Sequence, residues 1–123
     1  MELKVGEIRG IGLFKVINME KAKQIQIKNY TWVIIEVEEF KDTPENEIAF
    51  GRCDYVNQVI RINANLSKQQ KRQTLLHELT HAFMQAYGLG QISDTIPVEV
   101  MCDFIGTYAD DMVKIADEWA KGR

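Results

Sequence analysis

An α+β fold is expected for this chain, and three observations carry that expectation. Apolar and polar residues alternate up to about residue 66, and beyond it the apolar residues recur at helical spacing. The change falls at Ser67, which with Gln70 three residues on forms a capping-box start for a helix. The 123 residues, 46% of them hydrophobic, suffice for one domain with its own core. The expected architecture is a small, mainly antiparallel sheet packed on one long helix, completed by a second, C-terminal helix, with residues 1–123 as a single domain.

The elements follow in order. Glu7 to Ile17 is ambiguous, although Gly6, Gly10 and Gly12 favour a strand with bends over a helix. In "QIQIKN", Ile25 and Ile27 alternate with Gln24, Gln26 and Lys28, the pattern of a strand with one wet face. In "WVIIEVEEF", Val33, Ile35 and Val37 point one way, and Glu36 and Glu38 the other. "KDTPENE" is a polar loop. "IAFGRCDYVNQVIRIN" reads as two strands around a turn at Tyr55 to Gln58, with Ile60 and Ile62 on the inner face. One buried and one wet face suit an antiparallel sheet resting on helices.

The first helix is expected from about Lys68 to Tyr87, stopped by Gly88 to Gly90. Leu75, Leu76, Leu79, Ala82, Phe83 and Ala86 make it apolar around much of its girth, so it should be central. Pro97 sits near the first position of the next helix, where its missing N–H costs nothing. That helix should run from about Val98 to Ala120, with Tyr108, Met112, Ile115 and Trp119 on its inner face.

Composition narrows the function. A net charge of −3 argues against a nucleic-acid binder. Lys68, Lys71 and Arg72 form the one basic cluster, which reads as a solvated helix face. The acidic run Glu36, Glu38, Glu39, Asp42, Glu45 and Glu47 likewise reads as a solvated strand face and loop. Cys53 and Cys102 form no CxxC and read as reduced, partly buried thiols; Cys102 is expected to pack against the first helix. The N-terminus lacks a signal-peptide pattern, and no apolar run reaches transmembrane length. A soluble, cytoplasmic protein without membrane or nucleic-acid partners is expected.

The chemistry lies in "HELTH". The chain has two histidines, His77 and His81, and both are here. Residues four apart on a helix are offset by about 40° in rotation and ~6 Å along the axis. Two such imidazoles can converge on one ion at Zn–N distances of about 2.0–2.1 Å. Glu78 projects about 100° away from His77. Its carboxylate therefore stands beside the ion, where it can take the proton of a water whose pKa the ion lowers. A catalytic zinc wants three protein ligands and an open position. With no third histidine, the candidates are acidic residues of "PVEVMCDF". Glu99 would complete a His, His, Glu set, and Asp103 could accept the N–H of a ligand histidine and fix its tautomer. Two imidazoles and a carboxylate suit zinc. Tyr55, Tyr87 and Tyr108 could each donate to an oxyanion, and nothing in the sequence chooses among them.

HExxH followed by ExxxD resembles the gluzincin metallopeptidases, and the layout is similar to the compact ImmA/IrrE-type peptidases of bacteria, phages and mobile elements. "VIRINANLSKQQKRQTLLHELTHAF" and "EVMCDFIG" carry the resemblance, which spans roughly Cys53 to Gly106. It implies a minimal zincin-like fold, a zinc cofactor, His77, His81 and Glu99 as ligands, and Glu78 as general base. It also implies that the strand Val59 to Asn63 flanks the cleft and could pair with an extended substrate by β-augmentation. Family members cleave proteins, often regulators of mobile elements. The chain departs from the family pattern where Cys102 and Ile105 replace the usual Ala and Phe, and where a Gly-rich start replaces the helix commonly found before the sheet. The expected function is a zinc-dependent peptidase acting on a protein or peptide, such as a regulator. Two alternatives accompany it: a catalytically silent metal-binding module of a phage or mobile element, and a non-peptidase zinc hydrolase with a closed pocket.

Overall fold

The computed structural model describes residues 16–17, 22–38, 40, 49–89 and 96–121. The expected loop "KDTPENE" and most of the Gly-rich start lie outside them. Among the described residues five strands, β1 (Val16–Ile17), β2 (Lys23–Ile27), β3 (Tyr30–Val37), β4 (Gly51–Asp54) and β5 (Val59–Asn63), precede two helices, α1 (Lys68–Ala86) and α2 (Val98–Ala120). The fold is α+β, as the change of period implies.

β1 and β2 both pair antiparallel with β3, and β4 pairs antiparallel with β5. The join between these halves is the parallel pairing of β3 with β5, from Val33↔Val59 to Val37↔Asn63. Among the described residues the sheet is mixed, mainly antiparallel, and β4 forms one edge. This placement corrects the sequence reading, which put Val59 to Asn63 along the cleft. That strand is enclosed between β3 and β4, and its backbone bonds are taken on both sides.

The expected wet face is also absent from β3. From Trp32 to Val37 every residue is buried. Trp32 and Ile34 face α1 together with Ile25, Ile27, Ile60 and Ile62. Val33, Ile35, Val37 and Val59 form a second cluster on the far face, with Ala22 and Phe40 against it. A strand flanked on both sides and covered on both faces carries a continuous apolar run. Glu36 lies within that run, 4% exposed, and its carboxylate meets Lys71 Nζ of α1 at 2.7 Å. Glu36 is therefore no part of a solvated face. Nor is the basic cluster wholly solvated, since Arg72 also pairs with Asp117 at 2.9 Å.

α1 begins as expected. Gln70 N–H donates to Ser67 Oγ at 3.2 Å, and Ser67 N–H donates to Gln70 Oε1 at 3.0 Å. The helix ends at Tyr87, followed by Gly88 at φ 84, a left-handed conformation suited to glycine. Leu75, Leu79, Ala82 and Phe83 bury the stripe against the sheet, and Thr80 Oγ1 reaches Met112 Sδ of α2 at 3.7 Å. α1 is thus central, and its remaining face is open. Pro97 is the N-cap of α2, one position earlier than expected. Phe104, Met112, Ala116 and Trp119 are its buried residues, with Tyr108 and Ile115 packed beside them. Cys102 is exposed, against the expectation of a buried thiol packed on α1.

The β4–β5 turn closes at Gln58, whose φ of 58 costs a side chain about 1–2 kcal/mol. Its carbonyl accepts Val33 N–H at 3.0 Å, a bond that any residue there would keep. Gln58→Gly should raise stability by about 0.5–1 kcal/mol, the relief being partly offset by the freer unfolded chain. Urea denaturation would read this as a higher midpoint at unchanged slope.

Candidate metal centre

The capped first turn and the buried Leu75–Leu79 stripe fix the rotation of α1. That rotation leaves His77 and His81 exposed, one turn apart on the open face, and turns Glu78 inward to 6% exposure. The two rings meet edge to face, with centroids 4.9 Å apart and planes at 71°. His77 Nε2 and His81 Nε2 are 3.3 Å apart. Two ligands of a tetrahedral ion with Zn–N bonds of about 2.0–2.1 Å stand about 3.3–3.4 Å apart. In the metal-free protein the same 3.3 Å contact is an imidazole–imidazole hydrogen bond. The spacing also fits two ligands of one ion. His77, Glu78 and His81 offer donor atoms that all lie within 4.8 Å of one another, so the residues present fit a metal.

These side chains line a cleft of about 560 Å³. Gln73, Thr74, His77, Glu78 and His81 of α1 form one wall, and Phe50, Gly51 and Arg52 form the other. α1 approaches β4 closely at Gly51. A Cβ there would stand 2.7 Å from Thr74 Cγ2, 3.0 Å from the Arg61 carbonyl oxygen and 3.2 Å from Glu78 Cγ. The glycine is therefore a requirement of the site, and an isolated Gly within a strand is a signal of close approach.

Burial holds the Glu78 carboxyl above its usual range, while the two histidines and Arg52 pull it down. Burial also pushes the Cys53 thiol up to about 12, with the Glu78 charge adding to the effect. In the metal-free protein Cys53 is therefore a neutral thiol at physiological pH. Tyr55 is hydrogen-bonded to Cys53 and stands edge-on to Trp32, with ring centroids 6.3 Å apart. Tyr87 and Tyr108 stack on each other at 4.3 Å beside Phe83 and Phe104. None of the three tyrosines lines the cleft.

The structure brings together His77, Glu78 and His81. It places Glu99 in the first turn of α2, exposed and outside this group. Asp103, one turn on, is exposed too, and its backbone carbonyl accepts Thr107 Oγ1 at 2.7 Å. The cleft residues of β4 went unnoticed in the sequence.

An HExxH helix laid beside β4 of a small mixed sheet defines the class: an α+β domain with a cleft whose histidine and glutamate donors could hold a metal ion. The comparison with known families places it further. The IrrE N-terminal-like domain family, Peptidase_M78, matches residues 34–99, more than half of the chain, and the chain belongs to that family of metallopeptidases. No curated protein and no solved structure matches it. Among the described residues, no helix is long and apolar enough to cross a membrane.

Two outcomes follow from this packing. In metal-free protein Glu78 binds its proton more tightly folded than unfolded, so stability falls as pH rises from the unfolded value near 4.5 through the raised folded value. Glu78→Gln should therefore raise the Tm of chelator-treated protein at pH 7, and the gain should vanish below about pH 4. Gly51→Ala should destabilise by about 1–3 kcal/mol through overpacking. Adding Thr74→Ser, which removes Cγ2, should restore part of that loss in a double-mutant cycle read by urea denaturation.

Proposed function

We propose that the protein is a zinc-dependent peptidase that hydrolyses peptide bonds of a protein substrate. The 3.3 Å spacing of the two imidazole nitrogens, beside a buried carboxylate in an open cleft, carries this reading. His77 and His81 hold the ion through Nε2. Glu99 closes the ligand set from α2. Its place in the first turn of the helix packed on α1 supports the role, and the family match runs up to this residue. Asp103 orients one ligand imidazole from a turn further along.

A bound divalent ion supplies Lewis acidity to a water and to the scissile carbonyl. The residues of the chain do the rest. The Glu78 carboxylate accepts the proton of the attacking water and returns it to the leaving amine. The outer edge of β4 takes an extended substrate chain. In an antiparallel ladder the backbone groups alternate in direction. Because Asn63 N–H donates inward to the Phe50 carbonyl, Gly51 and Cys53 present theirs outward, next to the histidines. A cytoplasmic regulator encoded by a phage or mobile element is the proposed kind of substrate.

A closed-pocket hydrolase is disfavoured by the exposure of both histidines. The silent metal-binding module draws on one observation, that none of the three tyrosines stands in the cleft to stabilise an oxyanion.

Metal analysis of the purified protein should find about one zinc per chain, lost in His77→Ala and His81→Ala and reduced in Glu99→Ala. Retention of full zinc in Glu99→Ala would remove Glu99 from the set. Glu78→Gln should keep the zinc and lower peptide hydrolysis by about 100- to 10,000-fold. A zinc-loaded wild type that cleaves no protein or peptide would leave the silent module standing.

A further inference from the structure

The cleft is not centred on the histidines. On α1 its lining runs from Gln70 to His81, and among the described residues of the helix none after His81 takes part. The facing wall has the same offset. Its described lining runs from Ala49 to Arg52 and stops short of Cys53. Asn63, the last residue of β5 before the chain enters α1, holds the first part of that wall. Its Nδ2 donates to the Ala49 carbonyl and its backbone N–H to the Phe50 carbonyl, both at 2.9 Å. Ala49 and Phe50 therefore lie beside the start of α1, and Gly51 follows them against Thr74 and Glu78. Both walls extend from the histidines toward the N-terminus of the helix.

The length of each arm follows from the helix rise. Side chains of a helix all lean toward its N-terminus, so backbone spacing measures the distance between them along the axis. From the midpoint of His77 and His81 to Gln70 is about 14 Å, at ~1.5 Å per residue. In the other direction the lining ends at His81, about 3 Å from that midpoint. An extended chain advances ~3.3 Å per residue, so the long arm spans about four peptide residues and the short arm about one. Gln73 stands exposed along the long arm, one helical turn before His77. Its amide is both donor and acceptor, the complement of the C=O and N–H of a peptide unit. Across the cleft Phe50 offers an apolar ring, 46% exposed. From Gln70 and Gln73 to Ala49 and Phe50 the described walls of this arm carry no charge. We propose that the cleft holds an extended peptide to one side of the histidine pair, with about four residues along Gln73 and Phe50, Gln73 binding their backbone, and about one residue on the other side. This rests on the peptidase reading for the use of the site, whereas the sidedness is a property of binding.

The test uses the zinc-supplemented protein and two series of uncharged peptides of alternating Leu and Thr, anchored by a hydroxamate that chelates zinc and so fixes their register. In one series the hydroxamate replaces the C-terminal carboxyl, and in the other a hydroxamoyl-acetyl group caps the N-terminus. Each series runs from one residue to five. Titration calorimetry should show one series tightening about tenfold or more from one residue to four and then levelling, while the other gains about twofold or less beyond its first residue. The series that gains gives the direction of the bound chain. Gln73→Ala should remove most of that gain and draw the two series together, whereas a misfolded variant would lose both. Gln73→Asn, which keeps the amide, should retain part of it. Equal gains in both series, a gain in neither, no binding of any hydroxamate, or a full gain that survives Gln73→Ala would overturn the proposal. Cleavage of casein is read separately. One-sided binding without cleavage would keep the arm and count against the peptidase, whereas cleavage with equal gains in the two series would do the reverse.

Discussion

The close approach of α1 to β4 is the constraint on which the site depends. At Gly51 the helix and the strand stand so near that a single added carbon would lie 2.7 Å from Thr74 and 3.2 Å from Glu78. That proximity buries Glu78 at the floor of the cleft while leaving His77, one residue earlier, in solvent. Neighbouring residues of one helix are thus divided between core and surface, as a rotation of about 100° per residue demands. Were α1 further out, Glu78 would be solvated and its proton affinity ordinary. Were it rolled by one residue, the imidazoles would face the sheet.

That rotation is held from three sides. The capping box fixes the first turn, Leu75, Leu79 and Ala82 lock the buried stripe, and Glu36 binds Lys71 from within the sheet. The ion pair matters more as a fastener than as a source of stability, since burying a carboxylate cancels much of its Coulomb gain. Its position is informative: Glu36 shares a face with Trp32 and Ile34, so the charge pins α1 against the same surface that the apolar residues cover. The exposed pairs Arg72–Asp117 and Lys23–Glu118 contribute about 0–1 kcal/mol each, and apolar packing by Trp119, Met112 and Phe104 must hold α2.

What the sequence made legible follows the range of the interactions involved. Both helices, the cap at Ser67, the turn at Tyr55–Gln58 and the trio His77, Glu78 and His81 are set within one element, where spacing alone decides geometry. The sidedness of β3 was not legible. "WVIIEV" is apolar on both parities, and only the parallel partner β5 explains why both faces are covered. The same long-range pairing makes β4 the edge, which alternation within β4 or β5 does not reveal. Glu99 likewise depends on long-range placement. Its relation to the histidines depends on how two helices are joined, not on spacing within either, and it stands outside the trio. Cys102 shows the limit from another direction: a small apolar residue on a helix has no preferred side until its neighbours are placed.

Topology therefore reaches into the chemistry. If β5 were the edge, the strand beside the metal cleft would offer Ile60 and Ile62, both fully buried and both committed to the core beneath α1. By inserting β5 between β3 and β4, the fold separates two tasks that one strand could not perform. β5 supplies apolar mass to both faces of the sheet, and β4 is released to be short, partly exposed and glycine-bearing. Edge strands invite pairing with other chains, and most proteins blunt them. Among the described residues β4 is such an edge, and the guanidinium of Arg52 donates to the carbonyl of Gly51 there. An edge that is short and charged resists indiscriminate pairing.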